Sequence, residues 1–222
     1  MLATIESFGQ TSVQFGLTAN PMLSWMKGEA SEIKKGKMRG GFEFGLISDI
    51  EFTDNYILAT GITMTIAGGN VDYTDSLLMR LYKNDTARFA GTTNVTFKKN
   101  YINIPLAFKM RTDEIGKLRY YGSIGVVPAF RFKGRVDVSN NGKQIYDNDN
   151  IVKKKDETDG LFLSNVFNLS LHVEGGIEFP FSDKTALVAG LFYRNGFVNT
   201  VEDGDDDKIA LHNLGMRIGI LF

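Results

Sequence analysis

The side chains of this sequence that could carry chemistry are mostly ions, and they are spread along the chain instead of gathered in a motif. Glu43, Glu51, Lys109, Arg119, Arg131, Glu174, Glu178, Arg194 and Arg217 each fall on the polar parity of a stretch in which apolar and small or polar residues alternate. His172 shares that parity beside Glu174. If such stretches enclose an interior, the opposite charges must pair, because removing one partner of a buried pair typically costs about 3–5 kcal/mol. Glu43, Lys109, Arg119, Arg131, His172, Glu174, Glu178, Arg194 and Arg217 are therefore read as an internal charge network that plugs the fold. A proton or ion path through the same residues is the alternative.

Other chemistry is poorly provided for. The chain has 0 Cys and 2 His, which leaves no disulfide, thiol nucleophile, zinc finger or iron–sulfur cluster. His212 reads as an interfacial or loop-base residue, and neither histidine comes with a convincing Ser or Asp partner for lipid chemistry. The run Glu202-Asp203-Gly204-Asp205-Asp206-Asp207 lacks the ligand spacing of a calcium loop and reads as a solvated hairpin tip, with divalent bridging to lipid phosphates as the alternative. Lysines 27, 34, 35, 37 and 153–155 fall on connections at the same end, where they keep loops solvated or contact anionic headgroups. No catalytic, cofactor-binding or metal residue is assigned. A formal charge of −1 and a pI of about 6.2 give no footprint for nucleic acid.

The elements that must position these ions are strands. Period-two alternation recurs at about 13–25, 39–52, 56–67, 95–110, 118–133, 162–180, 185–197 and 213–222, and helical spacing is scarce. In the last stretch Leu214, Met216, Ile218, Ile220 and Phe222 share one face, against Gly215, Arg217 and Gly219. The connections alternate in length. Three are short (53–55, 111–117, 182–184), and four are longer and polar (26–38, 68–93, 134–161, 198–208). That sorting by end, with long apolar-out strands, predicts an all-β fold: an eight-stranded antiparallel up-and-down transmembrane β-barrel with short periplasmic turns and long extracellular loops. The smaller face is the polar one, as a crowded lumen requires. Residues 1–12 are read as an N-terminal periplasmic segment and 13–222 as one barrel domain. Trp25, Phe52, Tyr56, Tyr120, Phe179 and Phe222 are assigned as membrane-interface anchors. The expected location is the cell outer membrane, among its lipids, with the signal peptide absent from this chain.

Three stretches carry a family resemblance: FGLTANPMLSW (Phe15 to Trp25), YINIPLAFKM (Tyr101 to Met110) and the terminal GMRIGILF. Over roughly 13–222 the chain resembles the PorT-type outer-membrane β-barrel family of Bacteroidota. The resemblance implies an outer-membrane barrel without assigned catalytic residues, of a kind that includes an accessory factor for type IX secretion. It also implies that the strand ending at Phe222 is read by the barrel-insertion machinery. The function expected is that of a non-enzymatic barrel serving as an accessory or scaffold subunit of an outer-membrane assembly. The alternative is a standalone membrane-integrity or surface-adhesion barrel that binds ligands through its extracellular loops. A lipid-modifying enzyme needs a rim His–Ser or His–Asp pair and a small pore needs a wide lumen, so both are disfavoured.

Overall fold

The computed structural model describes residues 12–28, 33–35, 37–73, 77–80, 86–89, 93–140, 143–144, 166–182, 185–198 and 209–222. Within them, eight strands form a ring: β1 (Ser12–Gly28), β2 (Arg39–Glu51), β3 (Tyr56–Tyr73), β4 (Thr93–Asn103, resuming at Leu106–Arg111), β5 (Arg119–Asn140), β6 (Phe167–Ser182), β7 (Thr185–Gly196) and β8 (Ile209–Leu221). Each pairs antiparallel with the next, and β8 closes on β1 from Gly16↔Leu221 to Gly28↔Ile209. The ring leaves no open edge through its middle, so every strand there has its ladder on both sides. The predicted barrel is the fold observed.

Strand parity follows the sequence pattern. On β3 and β7, Ile62 and Leu191 point out and are each 62% exposed, while Thr63 and Arg194 point in and are buried. Large aliphatic residues outside and polar residues inside are the reverse of a soluble barrel. The outward band runs on β5 from Tyr120 to Phe132, about 30 Å of height at a tilt of about 40°, which matches a bilayer core.

Several boundaries differ from those expected. Pro105 has no N–H to donate, so β4 breaks at residues 104–105; the Ile104 N–H still reaches the Pro128 carbonyl at 3.0 Å. The predicted loops 26–38, 68–93 and 134–161 are partly strand. β1 continues to Gly28, β3 runs to Tyr73, β4 begins at Thr93 and β5 reaches Asn140. Residues 33–35 and 143–144 add short pairings at the outer ends of β3 and β5, and 77–80 pairs with 86–89 as a separate hairpin. These extensions are polar on their outer face and so lack the alternation that marks a strand in lipid. β1 already opens at Ser12; residues 1–11, 162–165 and 202–207 and the lysines at 153–155 lie outside the described residues.

A β-bulge sits where β5 leaves the apolar band. Asn100 pairs with Lys133 and Tyr101 with Arg131, so Phe132 has no residue opposite it. The extra residue shifts the phase by one, so Lys133, which shares the sequence parity of the inward-facing Arg131, is turned to the outside and is exposed.

Lumen glycines make room for large side chains. A Cβ on Gly190 would stand 2.6 Å from the Tyr121 hydroxyl, and one on Gly215 would stand 2.4 Å from the Phe192 ring. Both contacts are closer than atoms tolerate, so each ring occupies the niche that a glycine leaves. Gly190→Val is expected to displace Tyr121 and to lower the stability of the detergent-folded barrel by about 1–3 kcal/mol. An unchanged urea midpoint would count against the niche.

Candidate functional site

The lumen is the feature in which chemistry-bearing side chains converge. At its centre stands Glu43 on β2, 1% exposed. Its carboxylate accepts from Asn20 Nδ2 at 2.9 Å, Thr65 Oγ1 at 2.7 Å and Asn103 Nδ2 at 3.0 Å. The Arg194 guanidinium straddles both oxygens, with Nη2 donating to Oε1 at 2.9 Å and Nη1 to Oε2. Five donors from β1, β3, β4 and β7 thus meet on one carboxylate, which ties opposite walls of the barrel together.

Arg194 extends the network sideways. Its Nε donates to His172 Nδ1 at 3.2 Å, and His172 Nε2 meets Glu174 Oε2 at 3.0 Å. A guanidinium can only donate, so Nδ1 is the acceptor and the imidazole proton sits on Nε2, from which it donates to Glu174. Glu174 also accepts from Tyr121 Oη at 2.7 Å and from Arg217 Nη1, which is 3.1 Å from each of its oxygens.

A second cluster lies toward the short-turn end. Lys109 Nζ contacts Asp49 Oδ2 at 2.5 Å and also pairs with Glu178. Arg111 reaches Glu51 at 2.7 Å and Glu178 at 3.5 Å, and its Nε donates to the Asp54 carbonyl at 2.7 Å. Lys109 Nζ sits 4.9 Å from the centre of the Tyr121 ring. Side chains in contact therefore run from Arg111 through Glu178, Lys109, Tyr121, Glu174, His172 and Arg194 to Glu43. A cavity of about 310 Å³ opens at this mouth beside Arg111, Glu178, Gln14 and Thr185.

Toward the long-loop end the filling changes character. Met26, Val71, Phe97, Ile209 and Leu211 are each at most 3% exposed. β1 leans across onto β3 there: Ser24 Oγ donates to the Gly68 carbonyl at 2.7 Å and accepts from the Gly68 N–H at 3.1 Å. The close approach of Met26 to Gly69 leaves no room for a side chain on the glycine. Apolar side chains thus stopper the lumen above the two carboxylate clusters, with Lys99 buried among them, its Nζ 5.1 Å from the centre of the Phe97 ring.

Of the residues assigned to the internal network, Glu43, Lys109, His172, Glu174, Glu178, Arg194 and Arg217 come together. Arg119 does not join them. It lies at the short-turn mouth, a third exposed, with Glu114 at 4.0 Å. Arg131 is half-buried beside the bulge and pairs in register with Tyr101, away from the two carboxylate clusters. Asp49 shares the parity of Glu43 and Glu51 without having been assigned, and Arg111 opens the connection expected at 111–117; both are members of the second cluster. Tyr121, Phe97 and Phe192 carried no sequence signal beyond their parity. Among the assigned anchors, Phe52, Tyr56, Tyr120, Phe179 and Phe222 are exposed on the outer face near the short turns. Trp25 is at the other end, half-buried and stacked on His212 at 5.7 Å, with Tyr193 6.2 Å away. Among the described residues no three His, Asp or Glu side chains come together to hold a metal ion.

Arg217→Leu would strand Glu174 with neutral partners and is expected to cost about 3–5 kcal/mol in equilibrium urea unfolding. Arg119→Leu removes a loose, solvent-exposed pair and should change stability by about 0.5 kcal/mol or less. Equal losses for the two variants would contradict the assignment of network members.

No curated protein sequence matches the chain. Solved structures similar to it include Neisserial surface protein A (13% identity, covering 92% of this chain and 96% of that one, TM-score 0.43). They also include the outer membrane protein OprG from Pseudomonas aeruginosa (12%, 98% and 99%, TM-score 0.44). A third is Ail, the attachment invasion locus protein of Yersinia pestis (14%, 93% and 97%, TM-score 0.33). Residues 8–201 match the family described as outer membrane protein beta-barrel domain. With most of the chain covered, and a closed ring whose apolar face points outward, this protein belongs to that outer-membrane β-barrel family.

Proposed function

We propose that this barrel is non-enzymatic and works through its long-loop surface, as an accessory or scaffold subunit of an outer-membrane assembly. The observation that carries the reading is the doubly closed lumen. The ion network around Glu43 and Glu174 fills its middle, and the apolar stopper of Met26, Val71, Phe97, Ile209 and Leu211 fills its long-loop end. A lumen filled in this way offers no continuous aqueous path, and its histidine is committed to Arg194 and Glu174 on both nitrogens. What remains accessible besides the short-turn mouth is the outer surface, and among the described residues the largest regular part of it outside the apolar band is the extension of β3, β4 and β5. The resemblance to PorT-type barrels makes type IX protein secretion the assembly to test first.

Shortening the β5–β6 connection at 145–161 leaves every described strand intact. It is expected to abolish a stoichiometric partner in affinity purification from native outer membrane, while the unboiled variant still migrates faster than the boiled one on gels. Recovery of the wild-type barrel without a partner would overturn the scaffold reading. A stable open channel in planar bilayers, or deacylated lipid after incubation with the pure protein, would replace it with a pore or an enzyme.

A further inference from the structure

The cavity of about 310 Å³ at the short-turn mouth has the size of a small ligand pocket. It opens on the end that faces the periplasm in an outer-membrane barrel. Two guanidiniums of different kinds stand in its wall. Arg111 is buried and fixed: Nη2 donates to Glu51 at 2.7 Å and Nε to the Asp54 carbonyl at 2.7 Å, which leaves Nη1 with Glu178 at 3.5 Å as its partner among the described residues. Arg119 is a third exposed and loosely held, since its carboxylate partner among the described residues, Glu114, is 4.0 Å away, beyond hydrogen-bond reach. Gln14 and Thr185 also line the cavity, and neither side chain hydrogen-bonds to another described residue. The rest of the wall is apolar. Phe181 is the extra residue of a β-bulge, because Pro180 pairs with Ala186 and Ser182 with Thr185, so nothing stands opposite it. It lines the cavity and is still 54% exposed. A phenyl ring left half uncovered at the wall of a polar cavity offers apolar surface to a ligand.

We propose that this cavity binds the C-terminal carboxylate of a peptide whose last side chain is apolar, presented by a partner protein from the periplasmic side. The loosely held fork of Arg119 takes the carboxylate through two parallel N–H···O bonds, and Nη1 of the fixed Arg111 adds a second cation. The carboxylate on Glu178 does not oppose this, because Lys109 and Arg111 already pair with it, and the half-exposed Glu114 is free to turn to solvent when Arg119 is taken. The Phe181 ring decides for a chain end over an acidic side chain. A terminal carboxylate hangs from the same Cα as the last side chain, so guanidinium and ring must stand around one small space, as they do here. The Gln14 amide and the Thr185 hydroxyl then serve the last peptide N–H and carbonyl, whose desolvation would otherwise go uncompensated. Such a partner is separate from one bound at the long-loop surface, which lies across the membrane.

The test uses the full chain folded in detergent micelles, where both mouths meet solution. It is titrated with fluorescein-labelled Gly-Gly-Ala-Leu carrying a free C-terminal carboxylate, and binding is read by anisotropy and by NMR shifts of the amides of 111–119 and 178–182. The free acid is expected to bind and to shift both segments, and its C-terminal amide to bind about tenfold more weakly or worse. Arg119→Gln should weaken the free acid about tenfold and Phe181→Ala about fivefold, while Lys27→Gln at the long-loop end should bind it as wild type does. Equal binding of acid and amide would overturn carboxylate recognition. Equal binding of Gly-Gly-Leu-Asp-Gly amide would overturn the chain end in favour of an acidic side chain, and acetate binding as tightly as the peptide would leave a small-anion site only. No shift in either segment would overturn the site itself, and the wild-type titrations decide this even if a variant fails to fold.

Discussion

A carboxylate sealed inside a narrow barrel must be matched by cations and donors, and most of this structure follows from how Glu43 is matched. Its partners come from β1, β3, β4 and β7, so satisfying one ion fixes the relative positions of four strands. Arg194, held by Glu43, then sets the His172 tautomer, and His172 together with Tyr121 and Arg217 satisfies Glu174. Each member is oriented by the one before it. The cost of burying these charges is offset only while every member keeps its partners, which makes the network a device for one specific register more than a source of stability.

The same constraint accounts for the rest of the lumen. Aromatic rings close the gaps that ions leave, and Tyr121 serves both roles, with its face toward Lys109 and its hydroxyl on Glu174. Glycines at 190 and 215 lie where those rings need the wall to be bare. Toward the long loops the filling turns mostly apolar, with Lys99 buried against the Phe97 ring, and β1 bends across to β3. Function is thereby moved to the outside, where the bulge at Phe132 marks the change from a lipid-facing to a water-facing surface.

Strand number, strand parity and closure were legible in the sequence because lipid imposes a strict alternation on every outward residue. Where lipid stops, the signal stops. Residues 68–73, 93–94 and 134–140 are strands whose outer face is as polar as a loop, so alternation could not reveal them. The bulge was hidden because one extra residue reverses parity without changing composition, and Lys133 consequently appeared on the wrong side. Within the lumen, charge on the inner parity identified Glu43, Glu174, Glu178, Arg194 and Arg217. It could not tell that Arg119 stays at the mouth, nor that Arg111 reaches back from the strand end to Glu51. Phe97 and Met26 escaped because an apolar residue inside a polar lumen runs against the pattern that identified the barrel.

The central claim is that Glu43 and Arg194 act as one unit across the lumen, and a double-mutant cycle on that pair tests it most directly. Equilibrium urea unfolding of the detergent-folded barrel would be measured for Glu43→Leu, Arg194→Leu and the two together. Coupling predicts that the double variant loses less than the sum of the singles by about 2 kcal/mol or more, because each single leaves a buried charge stranded and the double does not. Strictly additive losses would contradict the account.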